Sequence, residues 1–293
     1  MTKIRTRDSS QIDDRRGQGG GGGMGFPGGG GGGLPFPTKG GGGLIGILLL
    51  LAAIFLPKLL GANQAATTPQ DEPTASTGTC ESELEQTLCG ATVDVQEFWT
   101  NMFPQAFEGR AYEPTKTVFF AQATDTGCGQ ATSQVGPFYC PLDRLVYFDL
   151  DFLVQLQEQF GATGDLAAQY IVAHEYGHHV QNLVGTSEEV RQLQEQNPES
   201  ANELSVALEL QADCYAGAWA FDANSRQQFE DGEIVNEAIN AAEAVGDDRI
   251  QQRTQGRVDP ESWTHGSAEQ RATWFRTGFE SGDPNTCNTF TEL

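Results

Sequence analysis

Apolar residues recur at helical spacing along much of the chain beyond residue 90. In "VDVQEFWTNMFPQAF" (93–107), Val95, Phe98, Trp99, Met102 and Phe103 share one face, and Pro104 breaks or kinks the end. "DLDFLVQLQEQFG" (149–161) aligns Phe152, Leu153, Leu156 and Phe160 before a glycine stop. The pattern continues over 164–184, an acidic stretch at 187–197, and 198–223, where Pro198 takes the first helical position. Two more helices are predicted at 231–247 and 267–282, and Ser267 with Gln270 forms a capping-box signal for the second. Strand signals are few: "KTVFFAQA" (116–123) and "RLVYFDL" (144–150), separated by a loop rich in Gly, Pro and Cys. The balance predicts a mainly helical α+β domain with a small sheet.

The front of the chain lacks either period. Of 36 glycines, 18 lie between Gly17 and Gly46, in runs such as "GQGGGGGMGFPGGGGGGLPFP". Residues 1–39 therefore read as a disordered, basic, glycine-rich leader, too poor in apolar surface to offset its ordering entropy. Residues 40–62, "GGGGLIGILLLLAAIFLPKLLGA", are apolar for 17 positions up to Leu56, and snorkelling of Lys58 would lengthen the stretch. One transmembrane anchor is expected there. A cleaved signal peptide fits less well, because the leader is too long for an ordinary charged n-region. A buried core helix is the third reading. Residues 63–79, rich in Thr, Pro and Ala, read as a linker to one domain at 80–293.

Charge sets the expected orientation. Residues 1–43 hold six basic residues against three acidic, and residues 62–293 hold 10 against 37. The positive-inside rule then leaves the N-terminus in the cytoplasm and exports the acidic domain from the cell membrane. All six cysteines lie beyond the anchor, as an oxidising compartment permits, and six allow 15 pairings. None forms a Cys-x-x-Cys pair. The acidic surface argues against nucleic acid, which needs a basic footprint.

"IVAHEYGHHVQNLVG" (171–185) carries three of the four histidines. Four residues apart on a helix, His174 and His178 direct their rings to one point, and Glu175 lies beside it, rotated by about 100°. That spacing on a helix signals zinc with a glutamate as general base. His179 is rotated away and is excluded as a ligand. The competing reading, a helix with ordinary surface histidines, conflicts with the largely uncharged run before the motif. Polar groups buried there need a partner.

Two protein ligands leave a third to find. A metzincin continuation needs Gly at 181 and His at 184, but the chain has Gln181 and Val184. Spacing of the thermolysin type points near Pro198 and Glu199. "ELQADCYAG" (209–217) offers a better candidate, with Glu209 and Asp213 four apart on one helix face. Glu209 is the expected ligand. Asp213 is expected to accept the free N–H of a ligating imidazole and fix its tautomer.

"AHEYGHHVQ", "ELQADCYAGAWA", "AVGDDRIQ", "THGSAEQRATWFRTGF" and "GCGQATSQVGPFYCPLDRLVYFDLDF" together resemble the neutral zinc metallopeptidase family of bacteria. The resemblance covers nearly the whole chain, and the motifs fall in the family's order. It implies a membrane-anchored, zincin-like domain outside the cytoplasm that holds Zn2+ and cleaves a peptide or protein substrate. Cys80 and Cys89 lie outside the family pattern.

The chemistry expected is hydrolysis by zinc-activated water, with Glu175 taking the proton. "RLVYFDL" or "KTVFFAQA" is expected to bind extended substrate as an added strand. His265, in "SWTHGSAEQR", is either a loop histidine that helps its turn or a donor to the oxyanion. The expected disulfides are Cys128–Cys140 between the two strands, Cys214–Cys287 from the third-ligand helix to the C-terminus, and the local pair Cys80–Cys89. An inactive binding or envelope-assembly module that keeps the fold is the alternative function.

Overall fold

The computed structural model describes residues 2–17, 79–154, 165–229 and 234–290. Helix α1 (Glu83–Ala106) opens on a capping box: the Ser82 hydroxyl accepts from the Glu85 N–H, and the Glu85 carboxylate accepts from the Ser82 N–H. It begins well before the apolar stretch at 93–107, and Pro104 sits in its last turn. The early turns bury small and polar residues (Thr87, Cys89, Gly90, Ala91, Thr92), which gives little apolar stripe to read.

The main sheet has four strands in the order β1-β2-β6-β5. β1 (Ile12–Asp14), β2 (Thr117–Phe120) and β6 (Leu145–Asp149) run parallel, while β5 (Phe138–Cys140) is antiparallel to β6. β3 (Ala123–Thr126) and β4 (Gly129–Thr132) form a separate hairpin. The two expected strands are thus the central pair, flanked on both sides. This corrects the expectation that one of them receives substrate as an added strand: β1 and β6 cover the edges of β2, and β2 and β5 cover those of β6.

A second correction concerns the leader. Residues 2–17, within the stretch 1–39 expected to be disordered, pack on the domain. This segment contains a single glycine, Gly17, and differs in composition from the glycine run that follows it. Burial of Ile4 and Ile12 and the ladder to β2 offset its ordering entropy. Residues 18–39, the expected anchor at 40–62 and all of the linker but Thr79 lie outside the described residues. No helix among the described residues is long and apolar enough to cross a membrane.

The other α-helices whose bounds lie within the described residues are α2 (Asp165–Val184), α3 (Thr186–Gln196), α4 (Ala201–Ser225), α5 (Ile234–Ala244), α6 (Asp247–Gln255) and α7 (Ala268–Ser281). Pro198 opens a short 3-10 turn ahead of α4 instead of the helix itself. Helical residues 150–154 begin the stretch expected at 149–161, and the rest of it falls outside the described residues. Ser267 and Gln270 make both capping-box bonds of α7. All three disulfides, Cys80–Cys89, Cys128–Cys140 and Cys214–Cys287, are those expected.

Helix α2 packs against α1 and α4, and Tyr176 ties it to the sheet through a 3.1 Å hydrogen bond with Thr117. Three glycines set the helix spacing. A Cβ on Gly177 would stand 3.1 Å from the Ala212 Cα, so α2 and α4 nearly touch between the two candidate ligand histidines. At the α4–α7 crossing a Cβ on Gly217 would meet the Phe275 carbonyl oxygen at 2.0 Å, and one on Gly278 the Cys214 oxygen at 1.9 Å. These neighbours are backbone and cannot swing aside. Gly278→Val is therefore expected to lower stability by about 3 kcal/mol or more, at or above the upper end for overpacked cores, as a denaturation midpoint would report.

Candidate metal centre

His174 and His178 project from the middle of α2, where residues four apart share a face. Glu209 reaches them from α4. The His174 and His178 Nε2 atoms stand 3.2 Å apart. Glu209 places one carboxylate oxygen 3.2 Å from the His174 Nε2 and the other 3.4 Å from the His178 Nε2. These three residues form the one cluster among the described residues whose His, Cys or carboxylate atoms lie close enough to share a metal ion.

The outer ring nitrogens fix what those inner atoms are. His174 Nδ1 lies 2.9 Å from the Asp213 Oδ1, and a carboxylate that already takes Arg271 and Tyr170 as donors accepts here too. His178 Nδ1 lies 2.8 Å from the Gln181 Oε1. The Gln181 amide is oriented by its NH2, which donates to the Leu208 carbonyl at 2.7 Å and to the Gln211 Oε1 at 3.1 Å. Both Nδ1 atoms thus carry protons in the neutral rings, and both Nε2 atoms present lone pairs. Two lone pairs and a carboxylate converging at such distances repel one another unless a positive charge joins them. Burial disfavours charge on His174, but Asp213 and Glu209 outweigh it and raise its pKa to about 10. Burial likewise pushes the Glu209 carboxyl up, while His178 and His174 hold it well below its ordinary value. The pocket stabilises a cation.

Zinc fits the donor set. Imidazole nitrogens and a carboxylate are usual zinc ligands, and one such atom from each of the three residues lies within 4.8 Å of the other two. Glu199, the rival third ligand, lies exposed in the 3-10 turn before α4 and is not in the cluster. His179 points elsewhere: its Nε2–H donates to the Glu113 carbonyl at 2.7 Å, and its Nδ1 accepts from the Tyr139 hydroxyl at 3.0 Å. Burial lowers its pKa to about 4, in keeping with a neutral ring. Glu175 is buried one residue from His174, and burial raises its carboxyl pKa while the two histidines pull it down.

Around these lies a set of supporting groups, most of which the sequence pattern did not single out. Arg271 of α7 grips Asp213 with two bonds, Nε to Oδ2 at 2.8 Å and Nη2 to Oδ1 at 3.0 Å, and Tyr170 of α2 donates to the same carboxylate. Asp213 is fully buried, yet Arg271 and His174 outweigh desolvation and hold its pKa down. His265 packs over α4 through Gly266, which has φ +87° and sits against Val206 and Leu210. Its Nδ1 lies 3.0 Å from the Asp247 Oδ1, and its own N–H donates to the Asp247 Oδ2 at 2.7 Å. His265 and Glu209 are close enough for each to favour the other's charge. Gln181, Arg271, Tyr170 and Asp247 act through tertiary contacts; the only cues to them were their places in or beside the quoted motifs.

A family model described as "Putative neutral zinc metallopeptidase" matches residues 1–290. The chain belongs to this family. Among its metallopeptidase-family relatives, the "Uncharacterized protein YpfJ" of Escherichia coli strain K12 is 42% identical over 285 residues, covering 97% of this chain and 96% of that one. The "Uncharacterized protein Mb2605" of Mycobacterium bovis is 51% identical over 181 residues, 58% of this chain and 60% of its own length. No solved structure matches.

Asp213 offers a graded test of the centre. Asp213→Asn keeps the shape but weakens the acceptor for His174 and the partner for Arg271. Zinc affinity is expected to fall about 10- to 100-fold, as for other groups that orient metal-bound histidines, measured by competition with a metal buffer.

Proposed function

We propose that the chain is a zinc metallopeptidase in which His174, His178 and Glu209 hold the ion and Glu175 is the general base. The observation that carries this reading is the convergence of three lone-pair donors beside a buried glutamate. Zinc, when bound, supplies Lewis acidity, which lowers the pKa of water to about 7 and polarises a peptide carbonyl. Glu175 takes the proton from the attacking water and passes it to the leaving amine. Asp213, held by Arg271 and Tyr170, and Gln181 keep the two imidazoles in the tautomer that binds. Asp247 accepts from the Nδ1–H of His265 and, with Glu209, favours its protonated ring, whose Nε2–H would be the donor to the oxyanion of the tetrahedral intermediate.

The substrate class is peptide or protein, and a net charge of −23 argues against nucleic acid. With β2 and β6 interior, the edge of β5 that pairs with no strand among the described residues is the place for an extended peptide to add. β5 packs against α2, the helix of the centre. Three disulfides favour an oxidising compartment outside the cytoplasm, with the apolar stretch at 40–62 as the membrane attachment.

The test is cleavage of casein and quenched peptides by the full chain, with about one zinc bound per chain. Chelator should abolish cleavage and added zinc restore it. A zinc-loaded chain that cleaves nothing would favour the inactive binding module. In a chain that does cleave, His265→Ala should keep its zinc and lose about 10²–10³ in kcat, the usual cost of one oxyanion donor. Wild-type turnover by that variant would assign His265 to its turn alone.

A further inference from the structure

Residues 2–17 touch four parts of the domain. At the sheet, Ile12, Asp13 and Asp14 pair with Thr117, Val118 and Phe119, extended by Thr117 N–H to the Gln11 carbonyl (3.1 Å) and Arg15 N–H to the Phe119 carbonyl (2.8 Å). Removing β1 would expose the edge of β2, whose residues are wholly buried. On α1, the Ile4 carbonyl lies over Gly90, where a Cβ would come within 2.7 Å of its oxygen, and Arg16 pairs with the buried Glu85. On α2, the helix of the candidate centre, the buried Gln169 donates to the Thr2 hydroxyl (3.0 Å) and the Ile4 carbonyl (3.2 Å). Arg5 meets both oxygens of Asp165 at 2.7 Å. After α4, the Lys3 N–H donates to the Gln228 carbonyl at 2.8 Å.

We infer that residues 2–17 and the metallopeptidase domain lie on the same side of any membrane to which the chain is attached. Backbone ladder bonds and buried side-chain contacts cannot act across a hydrocarbon layer about 30 Å thick. A single crossing at 40–62 would place the two on opposite sides and leave the β2 edge, Gln169 and Glu85 without these partners. Most of the basic side chains of the segment are engaged as well. Arg5, Arg15 and Arg16 are paired with Asp165, Asp13, and Asp14 with Glu85. Lys3 Nζ donates to the Gln227 carbonyl at 2.9 Å. The inference concerns sides, and it stands whether or not the centre is catalytic.

All six native cysteines are in disulfides, so one introduced thiol can be labelled alone. Ser9→Cys in the N-terminal segment and Glu97→Cys on α1 are both exposed positions. Each full-length variant would be treated in intact cells with a membrane-impermeant maleimide, then again after permeabilisation. Equal labelling of both in intact cells is expected. Labelling of both only after permeabilisation would still support a shared side, and would overturn the export proposed above. Labelling of Glu97→Cys in intact cells with Ser9→Cys protected until permeabilisation would overturn the inference. Docking itself is checked by charge exchange in the full chain: Arg5→Glu and Asp165→Arg should each lower Tm, and the double variant should recover most of the loss. A double variant no better than either single one would also overturn it.

Discussion

Glu175→Gln is expected to bind as much zinc as the unaltered chain and to hydrolyse peptides at least about 10²-fold more slowly, within the range usual for a positioned general base. The substitution is nearly isosteric, so the packing of the buried side chain is kept. It leaves the three lone-pair donors of His174, His178 and Glu209 untouched, and an amide does not accept the proton that water must give up. Zinc content by metal analysis and initial rates on one peptide, measured on the same preparation, separate the two effects. Loss of both zinc and rate would mean that Glu175 supports the site structurally. Normal turnover with full zinc would remove it from the mechanism.

The centre was legible in the sequence where its geometry is local. His174 and His178, and again Glu209 and Asp213, lie four residues apart, and helical periodicity alone puts each pair on one face. The metal cluster needs only one further fact, that α2 and α4 meet, and Gly177 against Ala212 marks where they do. The supporting groups were not legible, because each depends on which helices cross. Gln181 lies three residues beyond His178, but which end of its amide meets the ring is set by Leu208 and Gln211 of α4, and Arg271 reaches Asp213 only because α4 and α7 meet through Gly217 and Gly278. The same holds for the fold. β1 is "IDD", which has neither alternation nor length to announce a strand, and it exists because β2 offers an edge. The early turns of α1 did carry a readable signal, Ser82 with Glu85, of the kind that located α7.

Glu209→Ala is expected to cost more zinc affinity than any change around the centre, above the roughly 100-fold that bounds the loss of an orienting group. The reason lies in the balance of charge. Two neutral imidazoles offer lone pairs without offsetting a divalent ion, and the nearby acids have other duties: Asp213 is held by Arg271, and Asp247 by His265. Among the described residues, Glu209 alone brings a carboxylate within 3.4 Å of both inner nitrogens. Truncation also exposes His174 and His178 to mutual repulsion at 3.2 Å, which protonation relieves at the further expense of zinc. Glu199→Ala touches none of this and should bind zinc as the unaltered chain does, since its side chain stands in solvent. The order of loss should therefore be Glu209→Ala, then Asp213→Asn, then Glu199→Ala with none, read by titration against a calibrated zinc buffer with helix content followed in parallel. A folded Glu209→Ala chain that holds zinc as tightly as Asp213→Asn would show that the third ligand is another group.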